Sequence, residues 1–322
     1  MSQIKMAVGK EFKNKNGEVY KIIKREMDKR GSSFDLIHCE FQDPPYDDKG
    51  NKVVVVRMAS QVTRGIVINP YHKTALSDGY SGEYISYKTN PDVQEVRRKW
   101  YAMIERVKSD NRYANVSICD EWKNFNNYYY WVVKQKNHSV FAIDKDFTQW
   151  DTNTKIYSPE TCICIPQVLN VMSGRESKRG DLPLGLTKLS SGGIETSIAM
   201  TDKYDKHFTF RIFRTKSATE KDILESFIVS KIAREYKLKL YAEKLYKNDL
   251  IDKKAYDSIR KFRIYSSKID RNKVDNVISP YENYYDDVDK FLKSHKGFEL
   301  KLNEMANIIN ELPINIVSGI DM

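Results

Sequence analysis

The chain holds 322 residues, 40% of them hydrophobic and 12% aromatic, with 54 Lys and Arg against 44 Asp and Glu for a formal net charge of +10. This composition excludes disorder, collagen-like repeats and a purely solvating polymer for most of the chain, and the length accommodates about two ordinary domains or three small ones. No apolar run approaches the roughly 20 residues of a membrane span, and Met1-Ser2-Gln3-Ile4-Lys5 lacks the apolar core of a signal peptide, so a soluble, unexported protein is expected.

The positive charge is uneven. Residues 1–174 hold 26 basic and 21 acidic side chains, 175–272 hold 23 and 14, and 273–322 hold 5 and 9, nets of +5, +9 and −4. An excess gathered into about a hundred residues suits a phosphate-binding module, although a solvated Lys-rich helix face gives the same count. Cys39, Cys119, Cys162 and Cys164 have no paired zinc-ligand spacing, and a disulfide framework is not expected.

In chain order, 18–24, 34–41 and 53–58 are β-branched or aromatic runs separated by turn residues, which predicts a small antiparallel β-barrel module over 1–75. Residues 69–91, rich in Gly, Ser, Tyr and Asn, read as a linker. From Asp92 the apolar residues Val93, Val96, Trp100, Met103, Ile104 and Val107 recur at helical spacing, and Trp122, Phe125, Tyr129 and Val132 form a second stripe. Aromatic stripes at this spacing are core far more often than chemistry.

The stretch 141–146 and Lys155-Ile156-Tyr157 then read as two strands, followed by a helix whose first turn suits Pro166. Residues 174–193 read as a basic flexible linker. Strands at 194–200 and 207–214 precede a long helix, opened by a capping box of Ser217 with Glu220 and buried along Leu224, Ile228, Ile232, Tyr236 and Leu240. A further helix is expected at 253–262. The acidic tail over 274–322 carries Phe291, Leu300, Leu302, Met305, Ile308, Ile309 and Leu312, which look helical and partner-seeking. The fold class expected is α+β, with a small antiparallel β module over 1–75, a central domain over 92–174, a basic three-stranded sheet plus helix over 190–270 and an acidic helical tail over 274–322.

Several of these residues, taken in order, carry a resemblance. Trp100 and Arg106, Ile118-Cys119-Asp120-Glu121-Trp122, Phe125 and Trp131, Ile143-Asp144-Lys145-Asp146, Tyr157-Ser158-Pro159-Glu160-Thr161-Cys162, Pro166 and Asn170 resemble a family of bacteriophage-encoded, HNH-like homing endonucleases. Upstream, 8–17 and 69–84 look like the same proteins' N-terminal module. Downstream, the strand pair with its long helix is similar to a DNA-binding domain of the plant ethylene-response-factor type. The likeness covers roughly residues 8–270 and leaves the acidic tail outside.

The resemblance implies a ββα-metal domain over 92–174, in which Asp144 and Asn170 hold Mg²⁺ or Mn²⁺ against a scissile phosphate of double-stranded DNA, in the cytoplasm of an infected host cell. A hard cation takes oxygen ligands, which an Asp and an Asn amide supply. In such sites a His after the Asp activates water. Here Lys145 stands in its place, and Thr161 stands where many relatives carry an orienting Asn. Flanked by Asp144 and Asp146, Lys145 is a poor base but a good phosphate clamp. His138 is the other nearby candidate base, its plain alternative being a surface turn residue.

DNA contacts are expected from Arg211, Arg214 and Lys216 on or beside the second strand of the basic module, with Thr209 between aromatic neighbours, and from Lys178 and Arg179 in the linker. Two other readings remain open on the sequence. One is a DNA-binding protein whose nuclease site has decayed. The other is an interaction protein that docks a partner, or a second copy of itself, through 274–322.

Overall fold

Tyr20, Ile22, Ile37, Cys39, Phe41 and Val55 point to one side of their strands and are buried there, and that alternation builds the first sheet. In the computed structural model, which describes residues 6–27, 35–76, 78–173 and 180–320, β1 (Glu11–Lys13), β2 (Val19–Met27), β3 (Asp35–Phe41) and β4 (Val54–Met58) form an antiparallel meander in that order. Tyr20 faces Phe41 and Ile22 faces Cys39 across β2 and β3. The edge strands β1 and β4 do not pair among the described residues, so the expected barrel is an open sheet, closed on its apolar side by Val62 of the short helix α1 (Ala59–Thr63).

The stretch read as a linker is packed structure. Asn69 is buried and donates to the Pro45 carbonyl at 2.8 Å, and the Tyr80 N–H donates to the Lys123 carbonyl at 2.9 Å. Asp48 accepts from the Tyr80 hydroxyl (2.9 Å) and the Asn124 amide (2.7 Å), which ties the sheet's loops to the helices that follow. These helices are α2 (Val93–Ser109), α3 (Asp120–Lys123) and α4 (Phe125–Val132), with β5 (Val116–Ile118) between the first two. The predicted stripe of α2 is buried from Val93 to Ile104, and the second stripe is split by Asn124 into α3 and α4.

Gly79 has a steric reason to be glycine. A Cβ there would lie 2.6 Å from the Trp100 ring and 2.7 Å from Ile104, both side chains fully buried. Trp100 is further fixed by donating to the Trp122 carbonyl at 2.7 Å. Gly79→Ala should therefore destabilise the chain by about 1–3 kcal/mol through overpacking, read as a lower urea midpoint at unchanged m-value. An unchanged midpoint would mean the segment yields, as a linker does.

By its internal contacts the chain divides into Met1–Val132 and Val133–Met322. The division falls inside the expected 92–174 module. In the second unit β6 (Ala142–Asp144) pairs antiparallel with β8 (Ile163–Ile165), Asp144 facing Ile163. The predicted partner, β7 (Lys155–Tyr157), does not fill that place. The run Cys162 to Ile165 is buried throughout and shows no alternation, so periodicity gave it no strand signal. Pro166 then caps α5 (Gln167–Met172).

A second sheet has the order β11-β10-β9, from β9 (Leu186–Lys188), β10 (Ile194–Thr201) and β11 (His207–Arg214). Its third strand comes from the stretch read as flexible linker. The helix α6 (Glu220–Lys247) packs on the apolar face of the sheet. Its cap is Thr219 with Asp222 rather than Ser217 with Glu220; Ser217 instead donates to the Asp222 carboxylate at 2.5 Å. Of the predicted stripe of α6, Ile228 and Ile232 are buried and Leu224, Tyr236 and Leu240 half-buried, while Phe227, Val229, Ala233, Leu238, Tyr241 and Leu245 are buried as well. A helix buried on several sides belongs inside a core, and this one carries Lys231, Glu235 and Lys237 into it as well.

The other sides of α6 are covered by α7 (Lys253–Lys261), α8 (Arg271–Asp275), α10 (Lys296–Glu311) and α11 (Ile314–Ser318), with α9 (Tyr284–Ser294) packed on α10. This corrects the reading of 274–322 as a docking tail. Leu302, Met305, Ile309 and Leu312 are buried in the second unit's own core, with Phe291 and Ile308 packed against it, while Leu300 alone of the cited residues stays 70% exposed. The fold is mixed α+β, and among the described residues no helix is long and apolar enough to cross a membrane.

Candidate active site and nucleic-acid face

Asp144 ends β6, and the chain turns sharply after it. One carboxylate oxygen, Oδ1, accepts the backbone N–H groups of Asp146 (2.7 Å) and Phe147 (2.9 Å), an Asx-type turn. The side chain is 4% exposed, and burial first, then the charge of Asp146, push its carboxyl up to about 6. Asn170 lies on α5, which packs against β6, and its side-chain amide makes no hydrogen bond among the described residues. The hairpin and helix thus bring the two predicted ligands onto adjoining elements.

Lys145 is nearly buried and committed. Its ammonium lies 3.0 Å from the Asp146 carboxylate and 5.2 Å from the Tyr157 ring centroid. Asp146 also accepts from Lys155 at 2.5 Å, and these two lysines outweigh burial to hold its carboxyl below the usual range. Lys145 therefore neutralises a neighbouring carboxylate, and clamping a phosphate would require exchanging that partner.

Thr161 closes a local turn: its hydroxyl donates to the Ile156 carbonyl at 2.6 Å and lies 3.0 Å from the Ser158 hydroxyl. His138 sits in the turn before β6 with Nδ1 3.3 Å from the Gln135 carbonyl, a local role that needs no catalysis.

Three residues that the sequence reading passed over hold this loop. Gln149 donates to the carbonyls of Lys145 and Ile156, both at 3.0 Å, and accepts the Ile156 N–H at 2.9 Å. Lys254 of α7 donates to the carbonyls of Pro159 and Cys162, both at 2.9 Å. Lys155 shares Asp146 with Lys145. A glutamine in a polar loop and a lysine ninety residues downstream give no local sequence signal. Cys162 beside them is buried, its thiol pushed up to about 12, which removes it as a nucleophile.

On the second sheet, Ile194, Thr196, Ile198 and Met200 of β10 face α6, leaving Glu195, Ser197, Ala199 and Thr201 outward. A bulge opposite Thr196/Ser197 lets Arg211 and Arg214, three apart on β11, share the outer face. Both bind Glu195, at 3.3 and 2.7 Å. The hydrogen bond from Arg214 is the main cause holding Glu195 below the usual carboxylate range. Thr209 and Lys216 are exposed on the same strand and just after it. The outer face combines small polar side chains with two outward guanidinium groups. Lys178 and Arg179 lie outside the described residues.

Among the described residues there is no cluster of three or more His, Cys, Asp or Glu side chains suited to a metal. A cation on Asp144 and Asn170 would keep most of its shell for water and phosphate, the habit of Mg²⁺ rather than of zinc. Comparison of the chain with protein-family models, curated proteins and solved structures finds no match.

Proposed function

We propose that this chain is a metal-dependent DNA endonuclease of the HNH-like homing type, bacteriophage-encoded and acting on double-stranded DNA in the cytoplasm of an infected cell. The observation that carries the proposal is the Asp144 carboxylate, buried at a strand end and held by the turn that follows it, on an element against which the helix of Asn170 packs. Ionised carboxylates are expensive to bury without a partner, and a hard cation is the partner that a buried carboxylate and an amide oxygen suit.

Asp144 and Asn170 would hold Mg²⁺ or Mn²⁺. When bound, such an ion supplies charge neutralisation at a phosphate oxygen and acidifies a coordinated water. The chain's own residues do the positioning. The turn on Asp144 Oδ1 fixes the carboxylate, Gln149 fixes the loop behind it, and Lys254 anchors the loop's far end to α7. Lys145, bound to Asp146, is not assigned as the base.

The test is nicking of supercoiled phage and host DNA in Mg²⁺ and in Mn²⁺ by the intact chain and by Asp144→Ala. Cleavage by the first and none by the second is expected. Intact DNA in both metals with the unaltered chain would overturn the assignment.

The engagement of Lys145 by Asp146, where a His would serve, favours a second reading: a DNA-binding protein with an inactive site. Both readings place DNA on the outer face of the β9–β11 sheet. Arg211→Gln with Arg214→Gln should weaken DNA binding and lower the slope of log K against log salt by about two, one per lost phosphate contact. A slope left unchanged in a salt titration would remove this face from the interface.

A further inference from the structure

We infer that a second site of the Val133–Met322 unit, separate from Asp144 and Asn170, binds a nucleotide through its base and its phosphate: a cavity of about 480 Å³ walled by Trp150, Tyr281 and Tyr285 and rimmed by Arg260, Lys261 and Arg263. The inference stands whether or not the chain cuts DNA. Its volume lies within the range of small-ligand sites, and it joins aromatic walls to a few convergent cations.

The walls are held from outside. Asp151, next to Trp150, accepts hydrogen bonds from the Tyr281 hydroxyl and from Arg271. Arg271 in turn lies 4.3 Å from the centroid of Tyr265, the ring stacked on Trp150 at 6.4 Å. The Trp150 and Tyr281 rings contact one another at 6.2 Å and 41°, an ordinary aromatic pair whose outer face on the cavity is a stacking surface. Every nucleobase has a π-face, so such rings accept bases without choosing among them.

The rim carries charge that the protein leaves incompletely answered. Arg263 is 6% exposed, spends Nη1 on the carbonyls of Arg260 and Phe262, and stacks 3.6 Å from the Tyr284 centroid. Its Nε has no hydrogen-bond partner among the described residues, and a buried guanidinium nitrogen left so calls for an acceptor. Two carboxylates also line the cavity. Asp257 is paired with Lys253 at 2.7 Å, and Glu282 is exposed. Arg260 and Tyr285 also line an adjoining cavity, in which the Lys239 ammonium faces the rings of Tyr284 and Tyr285 at 4.3 and 4.7 Å. Trp150 belongs to the loop that begins at Asp144, so an unstacked nucleotide seated here would come from a strand close to the proposed scission site.

A free mononucleotide and an unpaired nucleotide of a single strand share this chemistry. Calorimetric titration of the full chain with inorganic phosphate, dAMP, a short single-stranded oligonucleotide and its duplex separates them. Binding of dAMP at least tenfold tighter than phosphate is expected, with Tyr281→Ala lowering it by about tenfold to a hundredfold and Arg260→Gln by about tenfold. Both side chains are exposed, so their loss leaves the thermal unfolding curve in place. An oligonucleotide tighter than dAMP, displaced by dAMP and weakened by the same variants, identifies the strand as the source; equal affinities identify the free nucleotide. Phosphate binding as tightly as dAMP, no binding of either nucleotide form, or affinities unmoved by both substitutions would overturn the site.

Discussion

Glu235→Leu is expected to cost about 3–5 kcal/mol of stability, because it strands a buried cation. Lys231 and Glu235, four apart on α6, are both fully buried and 2.5 Å from one another. Glu235 further accepts the Ile264 N–H at 2.7 Å and the Tyr284 hydroxyl, while Lys231 also donates to the Ile264 carbonyl at 3.1 Å. Removing the carboxylate thus takes an acceptor from three donors, one of them an ammonium left with only the Ile264 carbonyl.

Lys231→Met orphans one carbonyl and leaves Glu235 two donors. It should therefore cost less than Glu235→Leu, by about 1 kcal/mol or more. Urea unfolding of the two variants checks the order, and equal losses would show that the pair, rather than the count of stranded donors, sets the energy. The network also explains why residues after Val274 are not a free tail: Tyr284 brings α9 to the centre of α6.

Asp144→Asn should separate stability from function. It should reduce cleavage by about a thousandfold, a loss of several kcal/mol of transition-state stabilisation, while stabilising the metal-free chain at pH 8 by about 1–3 kcal/mol. Burial raises the Asp144 carboxyl from 3.8 to about 6, so between those values the folded chain binds the extra proton. The cost of the ionised form is therefore fully present above about pH 6 and fades as pH falls toward 3.8. Asparagine keeps an oxygen for the two backbone N–H groups and has no charge to bury.

Urea midpoints in a chelator should place Asp144→Asn above the unaltered chain at pH 8 and close to it near pH 4. Added Mg²⁺ should narrow the gap at pH 8, since a ligand bound only by the folded state stabilises it. A variant less stable than the unaltered chain at pH 8 would make Asp144 a turn residue that works best ionised, and the metal assignment would lose its support.

Much of the fold was legible where one face of an element is wet. The α2 stripe and the alternation in β10 and β11 follow directly from periodicity, as do the first strands. Elements buried on both faces were not legible. The strand β8 has no polar residue to set a period, and α6 is buried on several sides, with Lys231, Glu235 and Lys237 among its buried residues, so a single apolar stripe understated it. The basic count of 175–272 misled differently. Lys231, Lys237 and Arg263 are buried, Lys237 against the Ala199 carbonyl at 2.7 Å, so part of the charge read as a nucleic-acid surface is structural.

The sequence by itself determined the α+β class, the apolar face of α2 and of the first strands, and, through a pattern of residues in order, Asp144 and Asn170 as the pair to inspect. Tertiary structure alone decided that β6 pairs with β8, that Asn69, Ala75 and Ile85 and, after Val274, Tyr284, Leu302, Met305 and Ile309 are buried, that Lys145 answers Asp146, and that Trp150, Arg260 and Tyr281 surround one cavity. Periodicity is a property of neighbours along the chain, whereas the partner of a buried charge, or the ring across a cavity, is chosen by packing among residues a hundred positions apart.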